Sequence, residues 1–573
     1  MTTQIPVELE SAIMRQVSDG EVLTDLRAPA PGTRDESRPL RWSENIQGNV
    51  LAAFNKDQQT FLLLRFTDAA KARQWLGRIE PMISDTREVE DFNERFSERR
   101  RLLGHDPADM AATWVGLSLT VGALRLVGDE KIRKDLEDPG NLPRVSTMAA
   151  FLQGAAKRAD ILGDTGVDDP DHWYFGHEVA GQDDWDVHAI VTVAADRPED
   201  LRNRLSRIRD LCARHQVAEV YEQAGTTLPG DGAGHEHFGF KDGVSQPGVK
   251  QFHKPEPDRT GERMGRPGTE LVDPGEFVLG KSPHKIENGK INRPAGDGRA
   301  ELNCPAWMED GSFMVLRRLQ QDVAGWWAQI ERLGTEHGHT AEQKDRLAAR
   351  MVGRWRSGAP LAHHPDTDPH KSGVRMDNDF TYSEDPAGYD TPRCSHIRKM
   401  NPRNGLNERP PNEGAIAAKR RIVRRGIPFG AKFDPATGEG NGADTERGLV
   451  FIAFCSDLAE QFEFLQQSWA NNDDFPNKVV SGLPNSEKPD GVDPVIGSSK
   501  SMTCRFYERD RKSNGTDARW SSRSNGSSAR RARSTRSRRA SGCCGGSPRS
   551  RRRHAAARGG TRRHAAETAY PGS

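Results

Sequence analysis

The strongest constraint on this chain is a recurrence of short apolar runs grouped around amphipathic stretches. Thr60-Phe-Leu-Leu-Leu-Arg-Phe66 has strand length and composition, and residues 69–83 space their apolar side chains at helical period. Residues 113–119 predict a second strand and Asp186-Val-His-Ala-Ile-Val-Thr-Val-Ala194 a third. Residues 198–215 then predict a helix, and 218–221 a fourth strand. This is a β-α-β-β-α-β order. A looser version follows, with strands at 276–279 and 312–316, helices at 320–333 and 341–355, strands at 421–423 and 449–454, and a helix at 459–470. Paired strands recur between the helices, so the pattern predicts an α+β protein. Two ferredoxin-like lobes with antiparallel sheets and peripheral helices fit better than alternating parallel units.

The pattern divides the chain into an extension at 1–39, a first lobe at 40–249, a second lobe at 250–507 whose final strand is missing, and a tail at 508–573. From Arg511 onward there is no Leu, Ile, Val, Phe or Met, and 17 Lys and Arg stand against 2 acids. Residues 1–510 carry 66 basic against 81 acidic side chains, so the overall neutrality describes neither part. Such a tail has little to bury against the entropy of ordering it and is expected to be disordered. Its abrupt change of composition motivates the hypothesis of a frameshifted reading. The runs Arg530-Arg-Ala-Arg533 and Arg551-Arg-Arg553 suit phosphate contacts, but no base-reading module accompanies them, so functional nucleic-acid binding is not expected. Residues 250–275 and 281–299 are polar, Gly- and Pro-rich excursions of the kind that serve function or move.

No apolar run approaches the roughly 18 residues of a spanning helix, and the first ten residues lack a basic and apolar leader. No membrane partner and a cytoplasmic location are therefore expected. The 7 cysteines are scattered without a C-x-x-C pair and are expected to be reduced thiols. The absence of C-x-x-C-H means that any haem would be held without thioether bonds.

Three segments carry residue types suited to chemistry. In Phe238-Gly-Phe-Lys-Asp-Gly-Val-Ser-Gln-Pro247, glycines on both sides of Asp242 let the backbone turn sharply and present a carboxylate; a plain Asp–Gly turn is the competing reading. In Cys394-Ser-His-Ile-Arg-Lys-Met-Asn-Pro-Arg403, His396 stands among cations that would suit an anionic cofactor edge, against the alternative of a basic loop. Ile422-Val-Arg-Arg-Gly-Ile-Pro-Phe-Gly430 ends a strand on Arg424 and Arg425, one of which would point a fixed cation into a cavity while the other meets solvent. A rival cluster is His363-His-Pro-Asp-Thr-Asp-Pro-His370 with His235 and His237, which would suggest a metal-dependent hydrolase, although its prolines fit neither a zincin helix nor an EF-hand loop.

Taken together, the three segments resemble the dye-decolourising peroxidase family of haem enzymes, in its long form. Gly239-Phe240-Lys241-Asp242-Gly243 is similar to its Gly-x-x-Asp-Gly motif, Ser395 to Arg403 to its haem-ligand segment, and Arg424 to Phe429 to its distal-arginine segment. The likeness runs from about Gln47 to about Gly497, and Arg424 fits better than Arg425. The resemblance implies one non-covalent haem b per chain, held in the C-terminal lobe, with His396 as proximal ligand to the iron and Asp493 as its carboxylate partner. It implies Asp242 as acid–base group, Arg424 as peroxide clamp, and Leu449 and Phe451 over the distal haem face. Hydrogen peroxide and an organic reductant, a dye or phenolic, would be the substrates, with bulky dyes oxidised through surface Tyr or Trp residues. A haem carrier or iron-releasing protein of the same fold is the alternative, but it would need neither Asp242 nor Arg424. An acid–base carboxylate, titrating near pH about 4 when unperturbed, implies an acidic optimum.

Overall fold

The computed structural model describes residues 36–506 except 140–144, 177–185, 256–269, 282–284, 288–289, 293–303, 370–377, 406–414, 435–445, 477–489 and 499–503. The extension to residue 35, the basic tail and most of the two long polar excursions thus lie outside the described residues.

Strands β1 (Gln58–Phe66), β2 (Thr113–Leu119), β3 (Ala189–Ala195) and β4 (Val217–Thr226) form an antiparallel sheet in the order β2-β3-β1-β4. With α1 (Ala69–Ile79) after β1 and α2 (Pro198–Arg214) joining β3 to β4, this is the ferredoxin-like arrangement. Asp68 starts α1 by accepting the Lys71 N–H at 2.8 Å, and Pro198 starts α2 at its first position. The two-residue period of β1 sends Leu62 and Leu64 towards Trp75, Ile79, Leu205 and Ile208 of the helices. Phe61 and Leu63 face the other way, into a core shared with a second sheet.

That second sheet is built on β8 (Gly448–Cys455). One edge of β8 pairs antiparallel with β5 (Phe313–Gln320) along its whole length, and the other pairs with β6 (Val423–Arg424) and β7 (Ile427–Phe429). Among the described residues no strand pairs with the outer edge of β5. Val450, Ile452 and Phe454 pack with Leu316 against Phe61, Leu63 and Ile190 of the first sheet. Leu449, Phe451 and Ala453 therefore take the opposite face. Helices α3 (Val323–Glu336) and α4 (Ala341–Val352) follow β5 and enclose a separate cluster with Phe238, Phe240, Cys394 and Phe506.

Four expectations change. Residues 276–279 are not a strand: Pro274 opens a 3-10 turn, and Phe277 and Val278 are fully buried beyond it, a distinction that an apolar run of four cannot make. Gln320 belongs to β5, because α3 starts only after Asp322, which caps the Gly325 N–H. Residues 459–470 wind as two π-helical turns, Leu458–Glu463 and Leu465–Ala470. The cysteines are not all free thiols. Cys394 and Cys504 form a disulfide, their Cα atoms brought to 5.6 Å across 110 residues of sequence.

Candidate active site

Asp242 lies in the loop that follows β4. Its N–H donates to the Gly234 carbonyl at 3.0 Å, and the preceding Lys241 N–H donates to Arg356 at 3.2 Å, so the loop is pinned on both sides. Gly239 and Gly243 have φ of 92° and 75°, which is the freedom the motif's glycines supply. Asp242 Oδ1 accepts the Gly243 N–H at 2.6 Å and Arg424 Nη1 at 3.0 Å. This leaves Oδ2 without a partner among the described residues. The pair is neither buried nor free in solvent, with side-chain exposures of 33% and 26%.

Arg424 is held by register. It stands opposite Ala453 on β8, and residues directly opposite in an antiparallel pair share a face, so Arg424 lies on the face of Leu449 and Phe451. Both apolar residues stay partly exposed while Val450 and Ile452 between and beside them are buried, so this face of β8 is incompletely covered. Gln246 locks the arginine's backbone at both ends: its Nε2 donates to Arg424 O at 2.9 Å and its Oε1 accepts Arg424 N–H at 3.1 Å. Arg425 has a different task from the solvent contact expected for it. Its guanidinium donates to the carbonyls of Asn49, Val50 and Leu51, closing the end of the helical turn Gly48–Leu51, and burial pushes it down to about 9.

His396 opens the short helix α5 (His396–Met400), which stops at Asn401 because Pro402 keeps that residue out of helical geometry. Its Nδ1 donates to Asp493 Oδ2 at 2.8 Å. Asp493 is fully buried, and its Oδ1 accepts the Val495 and Ile496 N–H groups at 2.8 and 3.0 Å, a turn that Pro494 favours. A carboxylate on Nδ1 fixes the proton there and leaves Nε2 as a lone-pair donor, the state a metal ligand needs. Nε2 has no partner among the described residues.

One hydrogen-bonded frame joins the two pairs. Asn378 Nδ2 donates to Val244 O at 2.8 Å, beside Asp242, while Asn378 O accepts Arg403 Nη1 at 2.6 Å, just beyond α5. Arg421 donates to Ser245 O at 3.2 Å. Burial pushes the Arg421 guanidinium down to about 10; Glu270 opposes that shift, and the charges of Arg403 and Arg424 add to it. Among the described residues, the Nε atoms of Arg403 and Arg421 are buried without an acceptor. Arg403 ends the segment whose cations the sequence offered to a cofactor edge, whereas neither Asn378 nor Arg421 was singled out, since no local pattern distinguishes them from other polar loop residues.

The rival histidine cluster does not assemble. His235 faces Ala233 O, His237 Nε2 donates to Phe429 O at 2.9 Å, and His363 faces Asp379 O, while His370 lies outside the described residues. Among the described residues no group of three or more His, Cys, Asp or Glu gathers to hold a metal ion. A cavity of about 400 Å³ between the edges of β2 and β5 is lined by Leu117, Phe313, Val315 and Phe462, and by none of the six residues expected at the site.

Known proteins match most of the chain. Residues 45–229 match the family described as DyP dimeric alpha+beta barrel domain, and residues 299–481 match Dyp-type peroxidase, C-terminal. Dye-decolorizing peroxidase msp1 of Mycetinis scorodonius is 30% identical over 467 residues, covering 79% of this chain and 76% of that protein. Among solved structures, an ancestral D-type dye decolorizing peroxidase superposes with a TM-score of 0.62 at 29% identity, over 83% of this chain and 91% of the other. A dye-decolorizing peroxidase in complex with 2,6-dimethoxyphenol gives 0.59 at 27%, over 82% and 91%. The chain belongs to the dye-decolorizing peroxidase family and is a haem peroxidase.

Proposed function

We propose that the cofactor is one haem b per chain, bound without covalent attachment, with His396 as the iron ligand. The donor set fits. His396 offers a lone pair on Nε2, Arg403 and Arg421 offer guanidinium groups whose buried Nε atoms lack acceptors among the described residues, and Leu449 and Phe451 offer an incompletely covered apolar face. Two cations without a carboxylate at ion-pair distance among the described residues suit a cofactor edge bearing two carboxylates.

Bound haem would supply the two-electron reduction of hydrogen peroxide and the oxidation of the organic reductant. The chain's own part is proton handling and charge. Asp242 Oδ2, the carboxylate oxygen without a partner among the described residues, takes a proton from one oxygen of hydrogen peroxide and returns it to the oxygen that leaves as water. Arg424, held by Gln246 and by its register on β8, keeps a permanent cation beside that transfer and stabilises the developing negative charge. Leu449 and Phe451 narrow the same face, admitting a small oxidant and excluding bulky dyes. Asp493 keeps the proton on Nδ1 of His396 and raises the basicity of Nε2.

The Asp242–Arg424 pair is the observation that carries this reading, because a haem carrier needs neither a base nor a clamp. In the test, Asp242→Asn should slow the peroxide-dependent change of the haem absorption band by about 10²- to 10⁴-fold. Haem content should stay unchanged. A variant that reacts with peroxide at the parent rate would exclude Asp242 from the role.

A further inference from the structure

A second carboxylate, unused in the chemistry above, holds the loop that carries Asp242. Glu236 Oε2 accepts the Phe238 N–H at 2.8 Å, and Oε1 accepts the Phe240 N–H at 2.8 Å. The Gln321 side-chain amide, one residue past the end of β5, donates to Oε2 as well. The backbone closes on the same residue: Gly239 N–H donates to Glu236 O at 2.9 Å, and Glu236 N–H to Phe240 O at 3.1 Å. Residues 236–240 thus form a ring around one carboxylate, two residues before Asp242.

The ring is also anchored outward. Phe238 stacks on Trp326 of α3 with ring centroids 5.0 Å apart, and Phe240 meets the same indole edge-on at 6.3 Å. Both phenylalanines are buried, so their amides, the two that Glu236 accepts, lie where water cannot readily replace the carboxylate. Glu236 is only partly buried as a residue, but desolvation pushes its carboxyl up to about 7, against the Phe238, Gln321 and Phe240 hydrogen bonds that favour the charged form; the Asp242 charge adds to the rise. The two carboxyl groups are electrostatically coupled as well as joined by the backbone.

We propose that Glu236 is a positioning residue for Asp242: by accepting the Phe238 and Phe240 amides it fixes the loop that keeps Asp242 on Arg424. The proposal rests on Asp242 being the acid–base group. A misplacement of about 1 Å in such a group costs roughly 10²-fold in rate, so holding the loop is worth as much as many direct contacts.

A double-mutant cycle in the haem-loaded protein tests it, comparing E236A, D242N and E236A/D242N by the rate at which hydrogen peroxide changes the haem band. E236A should slow that rate by roughly 10²-fold, and adding E236A to D242N should cost nothing more, because the positioned group is already gone. Amide hydrogen exchange of the 236–242 segment, read on haem-free protein as well, should quicken in E236A. E236Q, which keeps one acceptor oxygen, should recover part of the rate and protection, and it stands in should E236A not fold. A parent-like rate in both Glu236 variants, or an equal further loss in the D242N background, overturns the proposal while leaving Asp242 in its role. An unaffected D242N single variant instead overturns the acid–base reading itself.

Discussion

Asp493→Asn isolates what the buried carboxylate does for His396. The asparagine keeps one carbonyl oxygen for the Val495 and Ile496 amides, so the turn at Asp493 retains an acceptor. At the Oδ2 position it places an NH2 group, which faces the Nδ1–H of His396 as donor against donor at a contact that is now 2.8 Å. The imidazole can relieve this only by moving its proton to Nε2, which removes the lone pair that would bind iron. Loss of such a partner weakens metal affinity about 10- to 100-fold, equivalent to ~1.4–2.8 kcal/mol. Haem-free parent, Asp493→Asn and His396→Ala protein would be titrated with haem and the Soret band followed, with thermal unfolding of each haem-free protein as the control for folding. The asparagine variant should fall between parent and His396→Ala and show a shifted band. Parent-like affinity and band position in a folded Asp493→Asn protein would refute the reasoning.

Reducing the Cys394–Cys504 disulfide should lower stability by about 2–4 kcal/mol, since it closes a long loop. Thermal unfolding with and without a dithiol, compared with C394S/C504S, measures this, and an unchanged midpoint with all 7 thiols titratable would dismiss the bridge. Such bridges persist in oxidising compartments and open in reducing ones, so the thiol count of protein isolated from its native host also tests the expected cytoplasmic residence. His237 gives a pH prediction. Desolvation pushes its imidazole down to about 4 from the ordinary 6.5, so the folded state keeps it neutral while the unfolded chain takes up a proton below 6.5. Its contribution is fully present above pH 6.5 and is lost as pH falls towards 4. From pH 6.5 to 5 the parent should lose about 2 kcal/mol relative to His237→Gln in urea unfolding; a constant difference would show that the imidazole titrates normally.

The elements that the sequence made legible are those whose neighbours in space are neighbours in the chain. The alternation along β1 and β8 sorts side chains to two faces whatever the sheet packs against, and Asp68 and Pro198 mark helix starts within a few residues of themselves. Residues 276–279 failed for the converse reason, because four apolar residues are buried equally well in a turn or a strand and only the partner decides. Local glycine chemistry also pointed to Asp242, and a short motif to His396.

By itself, then, the sequence determined the two-lobed α+β order, the end of the apolar pattern before the basic tail, and the candidate side chains for the site. Their contacts are tertiary, and apart from the family resemblance that named Asp493 as the partner of His396, nothing in the local sequence pairs them. Asp242 meets Arg424 across 182 positions and His396 meets Asp493 across 97, and no local preference encodes such separations. Register on β8 supplies the physical reason for preferring Arg424, which the resemblance had favoured, by sending Arg424 to the open face and Arg425 to the carbonyls of a helical turn near the start of the chain. The same holds for Glu236, Asn378 and the Cys394–Cys504 bridge, each ordinary in its local sequence. Their roles come from long-range packing, which fixes distance and desolvation, the two quantities on which hydrogen bonds and charge pairs depend.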